Sequence, residues 1–177
     1  MRLTPIYLTG AFIVDIERHS DFRGFFSRIY CTEEFSARGI SKQPVQSNIS
    51  FNSVRGTLRG IHYQRPPYAE AKLIRCIAGK IFDVIVDLRE NSPTCYRWFS
   101  MELDSVARRA IYIPEGFAHG FQTLEDESEV HYEMFSPHQP ESAQGLRWND
   151  PALAINWPLE VTSISEKDQS YPLLLSI

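Results

Sequence analysis

Apolar residues recur along most of this chain at every second position in short runs, the spacing of half-buried β-strands. The clearest run is Lys80 to Leu88. Phe82, Val84, Val86 and Leu88 fall on one face of it, and Ile81, Asp83, Ile85 and Asp87 on the other. Ala71 to Ala78, Trp98 to Leu103, Ala110 to Ile113, Phe117 to Leu124 and Glu129 to Phe135 continue the pattern, and the N-terminal stretch up to Asp21 alternates early. Glu102 to Arg109 reads as a strand end and turn, and Glu125 to Ser128 as a hairpin loop. Helix signals are few. Thr32 as N-cap, Glu33 and Glu34 in the first turn and Gly39 as a stop predict one short helix. Ser165 to Asp168 offers a second turn of helix in a C-terminal fifth that is irregular and proline-rich from Pro137 on. Evenly spaced strands with glycine and proline between them predict an all-β sandwich or barrel with a few short helices.

Composition narrows the class. A chain of 177 residues suits one domain, spanning 1–177, and a domain near that size buries roughly 70% of its unfolded surface. With 43% hydrophobic and 23% charged residues, disorder is excluded as the main state. The net charge of −4 gives no basic excess for nucleic acid or an anionic membrane, and leaves open a local basic pocket for a phosphorylated small molecule. Cys31, Cys76 and Cys95 are odd in number and far apart with no CxxC, which argues against a disulfide framework and a zinc knuckle. They read as reduced thiols of a cytoplasmic protein. The N-terminus lacks the features of a signal peptide, and no stretch approaches the ~18 apolar residues of a transmembrane helix.

Four constellations carry chemistry. Leu58-Arg59-Gly60-Ile61-His62-Tyr63-Gln64, followed by Lys72, places a histidine among polar and cationic side chains that cannot all be buried without partners. Strict alternation sets His62 on the face of Leu58 and Gln64, opposite Arg59; a bulge at Gly60 would bring both to one pocket. Pro114-Glu115-Gly116-Phe117-Ala118-His119 reads as a tight turn delivering a histidine to a strand, and resembles the second histidine motif of cupins. Tyr132 shares a face with Val130 and Met134, as either a core tyrosine or a proton donor. Ser165-Glu166-Lys167-Asp168 is either a capping box or a carboxylate that orients a histidine and fixes its tautomer. H-x-H is absent after His62, and two histidines beside Lys72 make a poor cation site, so no metal is expected. No Walker loop or GxGxxG is present. A base (His62), an orienting acid (Asp168 or Asp83), a cation (Lys72), a proton donor (Tyr132) and arginines for phosphate (Arg23, Arg59) suit proton transfer beside a carbonyl.

These motifs form an ordered set. Asp21-Phe22-Arg23-Gly24, Gln46-Ser47-Asn48, Leu58-Arg59-Gly60-Ile61-His62, Lys72-Leu73-Ile74-Arg75, Ser92-Pro93-Thr94, Arg147-Trp148-Asn149-Asp150-Pro151 and Ser165-Glu166-Lys167-Asp168 together resemble the dTDP-4-dehydrorhamnose 3,5-epimerase family over nearly the whole chain. The resemblance implies a cupin-type double-stranded β-helix, or jelly-roll, barrel and a homodimer with N-terminal strand exchange. It implies a cofactor-independent epimerase of a nucleotide-linked 4-keto-6-deoxy sugar, whose ketone acidifies the C3 and C5 protons. Carried over by motif, His62 is the base, Asp168 its partner, Lys72 the enolate-stabilising cation and Tyr132 the acid. Arg59, His119, Gln46, Asn48 and Lys167 match positions that hold substrate, phosphates or nucleotide, and Arg23 one that reaches across the dimer. Three positions depart from the pattern: Arg28 and Ala143 stand where the family has glutamates near the nucleotide, and Ser47 where it has aspartate. Arg28 reverses the charge presented there. Alternatives are a C3 or C5 mono-epimerase or keto-isomerase on a GDP- or CDP-linked hexose or heptose, a non-catalytic sugar-nucleotide-binding cupin, and a metal-dependent cupin.

Overall fold

The computed structural model describes residues 1–174. Thirteen strands and two short helices follow in chain order. The first half holds β1 (Arg2–Pro5), β2 (Phe12–Asp15), β3 (His19–Asp21), β4 (Gly24–Phe26), α1 (Thr32–Ser36), β5 (Gln46–Asn52), β6 (Leu58–Gln64), β7 (Lys72–Ala78) and β8 (Lys80–Asp87). The second holds β9 (Trp98–Asp104), β10 (Ala110–Ile113), β11 (Phe117–Thr123), β12 (Ser128–Met134), β13 (Ala143–Gly145) and α2 (Glu166–Ser170). One sheet has the order β1-β2-β10-β7-β12-β5 and the other β13-β6-β11-β8-β9; β3 and β4 form a separate hairpin. From β5 to β12 the chain crosses between the sheets at nearly every connection, with antiparallel pairing throughout. This is the jelly-roll winding of a cupin-type barrel.

The alternation in Lys80–Asp87 has a direct structural consequence, because β8 is buried on both faces. Ile81 and Ile85 point into the barrel, against Ile74, Ile111, Phe117, Phe121 and Val130. Val84 and Val86 point outward, under Leu146, Leu153 and Ile155 of the C-terminal segment. The irregular C-terminal fifth is therefore a cover for the five-stranded sheet. On the outer face of the six-stranded sheet, α1 supplies Phe35, fully buried with Ile40 against Leu73, Tyr112 and Phe135. Burying one such side chain contributes about 1.5–3 kcal/mol.

Two local expectations are corrected. Glu125 to Ser128 is a corner between the sheets, since β11 pairs with β6 and β8 while β12 pairs with β5 and β7. Local turn chemistry cannot distinguish a hairpin from such a crossover. The α1 N-cap is Cys31, without a side-chain capping bond; Thr32 is already helical, and the helix ends at Ser36, before Gly39 at φ +81°.

The bulge in β6 is present. His62 lies opposite His119 and Arg59 opposite Phe121, so Gly60 and Ile61 together face the single residue Gly120. Gly60 has φ +127°, and a Cβ there would lie 2.5 Å from the Gly120 Cα. The extra residue lets Arg59 and His62, three apart, reach the same cavity. Gly60→Ala is expected to destabilise the fold by about 1–3 kcal/mol from backbone strain, with a similar further cost from the close approach. Urea unfolding checks this, and a wild-type midpoint would show that the bulge is not constrained.

Candidate active site

One end of the barrel opens into two adjoining hollows of about 590 and 300 Å³ that share Arg59, His62, Lys72 and Met134. His62 and Arg59 enter from β6 and His119 from neighbouring β11, all in the five-stranded sheet. Lys72 and Tyr132 enter from β7 and β12, adjacent strands of the six-stranded sheet. The candidate base and the candidate acid therefore face the cavity from opposite walls.

His62 is held from the C-terminal cover. Its Nε2 lies 2.7 Å from Asp168 Oδ1, while Asp168 Oδ2 accepts the Gly60 N–H at 3.1 Å. The bulge glycine's amide thus helps to fix the carboxylate. Asp168 is itself positioned by α2, whose N-cap Ser165 Oγ accepts the Asp168 N–H at 3.0 Å. Capping and histidine-orienting roles coincide in one motif. Burial works against the Asp168 charge, but hydrogen bonds from His62, Gly60 and Ser165 hold its pKa below the ordinary carboxylate value. It stays ionised at neutral pH. With Nε2–H given to Asp168, the His62 ring presents Nδ1 as its free acceptor.

The second carboxylate considered for His62, Asp83, belongs elsewhere. Asp83 Oδ2 lies 2.7 Å from Nε2 of the buried His119, forming a second dyad at the cavity wall. The His119 ring meets the Tyr132 ring edge-on, with centroids 6.1 Å apart. Tyr132 is half-buried and packs against the barrel core. Burial, reinforced by Asp83 and opposed by Arg59, raises its pKa well above that of a free phenol. The group keeps its proton at neutral pH, as a proton donor must. Among the described residues no protein group accepts from its hydroxyl.

Lys72 is almost fully buried; its Nζ lies 2.8 Å from Glu70 Oε1 and 3.4 Å from the His62 carbonyl oxygen. Arg59 donates through Nε to Asn52 Oδ1 at 2.7 Å. Asn48 lines the smaller hollow and Lys167 the larger. Gln46 lies beside the larger one, its Oε1 accepting the N–H of the lining residue His138 at 3.0 Å.

Two candidates stand apart from the cavity within a single chain. Arg23 sits at the tip of the β3–β4 hairpin, paired with Asp21 at 2.5 Å. Arg28 pairs with Glu34 at 2.8 Å, on the side of the molecule that carries the N-terminus. Conversely, sequence reasoning passed over Glu70 and Tyr171. The Tyr171 ring packs edge-on against His62 at 5.8 Å, just past α2. Glu70 had one available signal, its place two residues before Lys72. Among the described residues, no three His, Cys, Asp or Glu side chains gather into a group that could hold a metal ion.

Residues 5–176 match the family model described as dTDP-4-dehydrorhamnose 3,5-epimerase. A protein of that name from Methanothermobacter thermautotrophicus is 45% identical, with 96% of this chain and 92% of that protein covered. A dTDP-4-dehydrorhamnose 3-epimerase from Streptomyces niveus is 40% identical, covering 98% and 84% respectively. Among solved structures, the dTDP-4-dehydrorhamnose 3,5-epimerase of Bacillus anthracis, crystallised with TDP and PPi bound, superimposes with a TM-score of 0.94 at 38% identity, over 98% of this chain and 99% of that one.

Proposed function

The chain belongs to the dTDP-4-dehydrorhamnose 3,5-epimerase family, and from that premise we propose that it inverts C3 and C5 of a dTDP-linked 4-keto-6-deoxy sugar. It is an isomerase, and its relatives' names supply the substrate class: a nucleotide-diphospho-sugar. The observation that carries the mechanism is the placement of His62 and Tyr132 on opposite sheets around one cavity, with Lys72 between them in sequence and at the same opening.

The C4 ketone acidifies the protons on C3 and C5. His62, oriented by Asp168, removes one of them from the face it touches, and the electron pair moves onto the C4 oxygen. The Lys72 ammonium stabilises the resulting enolate, an interaction worth about 10²- to 10³-fold for one such donor. Tyr132 then protonates the carbon from the other face, which inverts the centre. Acid–base groups of this kind contribute about 10²- to 10⁴-fold. Arg59 and Lys167 supply positive charge for the diphosphate, with Gln46, Asn48 and His119 placing the rest of the substrate. The whole chain, 1–177, serves as one cupin-like epimerase domain, and we place it in the cytoplasm, where its free thiols stay reduced. Among the described residues no helix is long and apolar enough to cross a membrane.

We assign Arg23 and Arg28 to a homodimer. The β3–β4 hairpin is exposed throughout, with Phe22 at 98% and Phe26 at 75% exposure, a poor end state for aromatic side chains in water. In the dimer the hairpin meets a second copy and Arg23 reaches its substrate. Light scattering on a sizing column should give twice the chain mass; a monomer would remove this assignment.

The test is proton NMR in D₂O of dTDP-4-keto-6-deoxyglucose with the protein, alongside GDP- and CDP-linked 4-keto sugars. Deuterium at both C3 and C5 with new ring couplings is expected for the dTDP sugar. Exchange at one carbon would establish the second reading, a mono-epimerase, which the Streptomyces niveus relative favours. No exchange with any carrier would overturn the catalytic assignment.

A further inference from the structure

Glu70 is 6% exposed, precedes β7 by two residues, and lines the larger hollow of the site. Its Oε1 holds Lys72 Nζ at 2.8 Å, and the lysine side chain is only 7% exposed. Its second carboxylate oxygen, Oε2, is buried without a hydrogen-bond partner. A buried carboxylate oxygen left unpaired is costly and rare in a folded protein. The pair is therefore poorly explained as a device for stability alone.

An ammonium has three N–H donors on a flexible stem. Glu70 Oε1 takes one of those of Lys72, and the His62 carbonyl oxygen, at 3.4 Å, lies in the direction of a second. The third is left for the cavity. Both anchors are held by regular structure, Glu70 just before β7 and His62 within β6, on the two facing sheets. The free donor thus has a set direction, beside the base that generates the enolate.

The geometry points to Glu70 as a positioning residue for the epimerisation: its carboxylate aims the Lys72 ammonium at the C4 oxygen as that oxygen becomes negative. Glu70 acts through Lys72 and does not itself touch the sugar. The inference rests on the proposed enolate-stabilising role of Lys72. It explains why an acidic side chain occupies a site built for an anion. Without the carboxylate the lysine would keep only the longer contact to the His62 carbonyl oxygen and would be free to swing away from the C4 oxygen.

The experiment measures deuterium exchange and net epimerisation of dTDP-4-keto-6-deoxyglucose, with melting temperatures, for the wild type, Glu70→Ala, Glu70→Gln, Lys72→Ala and the Lys72→Ala/Glu70→Ala double variant. Glu70→Ala should lower kcat by about 10- to 100-fold, the cost of a misplaced catalytic group, with KM little changed because the contact strengthens only as the enolate forms. Glu70→Gln keeps an oxygen for Nζ to bond and should recover most of the rate. On the Lys72→Ala background, removing Glu70 should cost nothing further. If Glu70→Ala does not fold, Glu70→Asp, one methylene short of Nζ, replaces it and should lose rate at native stability. Wild-type kcat in Glu70→Ala, a folded Glu70→Gln as slow as Glu70→Ala, or an added loss on the Lys72→Ala background would each overturn the inference. A wild-type protein that exchanges no deuterium would instead overturn the epimerase reading on which it rests.

Discussion

His62→Ala should abolish deuterium incorporation at both C3 and C5. On the proposed mechanism one base serves both carbons: His62 lines both hollows and is held by Asp168, while His119 is buried with its Nε2 committed to Asp83 and His138 lines only the larger hollow. The expected fall is at least the ~10²- to 10⁴-fold that a general base contributes. Folding should survive, because the His62 side chain is 41% exposed and contributes little to the core. A cost of about 1–3 kcal/mol is expected from Asp168, which keeps its Gly60 N–H but loses its imidazole partner. Exchange in D₂O followed by NMR, with a melting curve on the same sample, separates the two effects. Exchange at a wild-type rate at either carbon would mean that a second base operates, and the buried dyad of His119 and Asp83 would become the candidate.

Tyr132→Phe should separate proton removal from inversion. Without the phenol, His62 still abstracts, and it can return a solvent-derived deuteron to the face from which the proton left. Deuterium therefore enters while the ring couplings of the starting sugar persist. Net inversion should fall by about 10²- to 10⁴-fold, the worth of the missing acid. The variant should be as stable as the wild type, since among the described residues no protein group accepts a hydrogen bond from the phenol and none is orphaned by its removal. The high phenol pKa bears on the same point: burial keeps the donor protonated, so pH should not limit the acid step near neutrality. Normal epimerisation by Tyr132→Phe would take the acid role away from this residue.

Most of the elements, and the residues that line the site, were legible in the chain because both are written locally. The two-residue period of β8 sorted Ile81 and Ile85 from Val84 and Val86, and those pairs enter separate clusters on the two faces of one sheet. The glycine inside Leu58–Gln64 conflicted with strict alternation, and the conflict resolved as a bulge that turns Arg59 and His62 to one side. The motif Ser165 to Asp168 contained its own cap, which the backbone uses as written.

The fold alone decided what depends on residues distant in sequence. Whether Glu125 to Ser128 joined paired strands or crossed between sheets depended on β5, β6, β7 and β8, which contribute the neighbours on either side. The residues alone left Asp83 and Asp168 both open for His62, and only the resemblance chose Asp168; the position of α2 over β6 gives His62 Asp168, and the pairing of β8 with β11 gives Asp83 to His119. Glu70 carried only the weak signal of its place two residues before Lys72, and its pairing became visible when burial left its carboxylate with Lys72 as its salt-bridge partner. Side-chain period and turn residues are properties of adjacent positions, so the sequence by itself determined most of the barrel strands, the bulge and the set of candidate groups, but not β5, β13 or the β3–β4 hairpin. Which carboxylate meets which cation or imidazole is a property of strand order and burial, settled when the sheets close and water is excluded from between them.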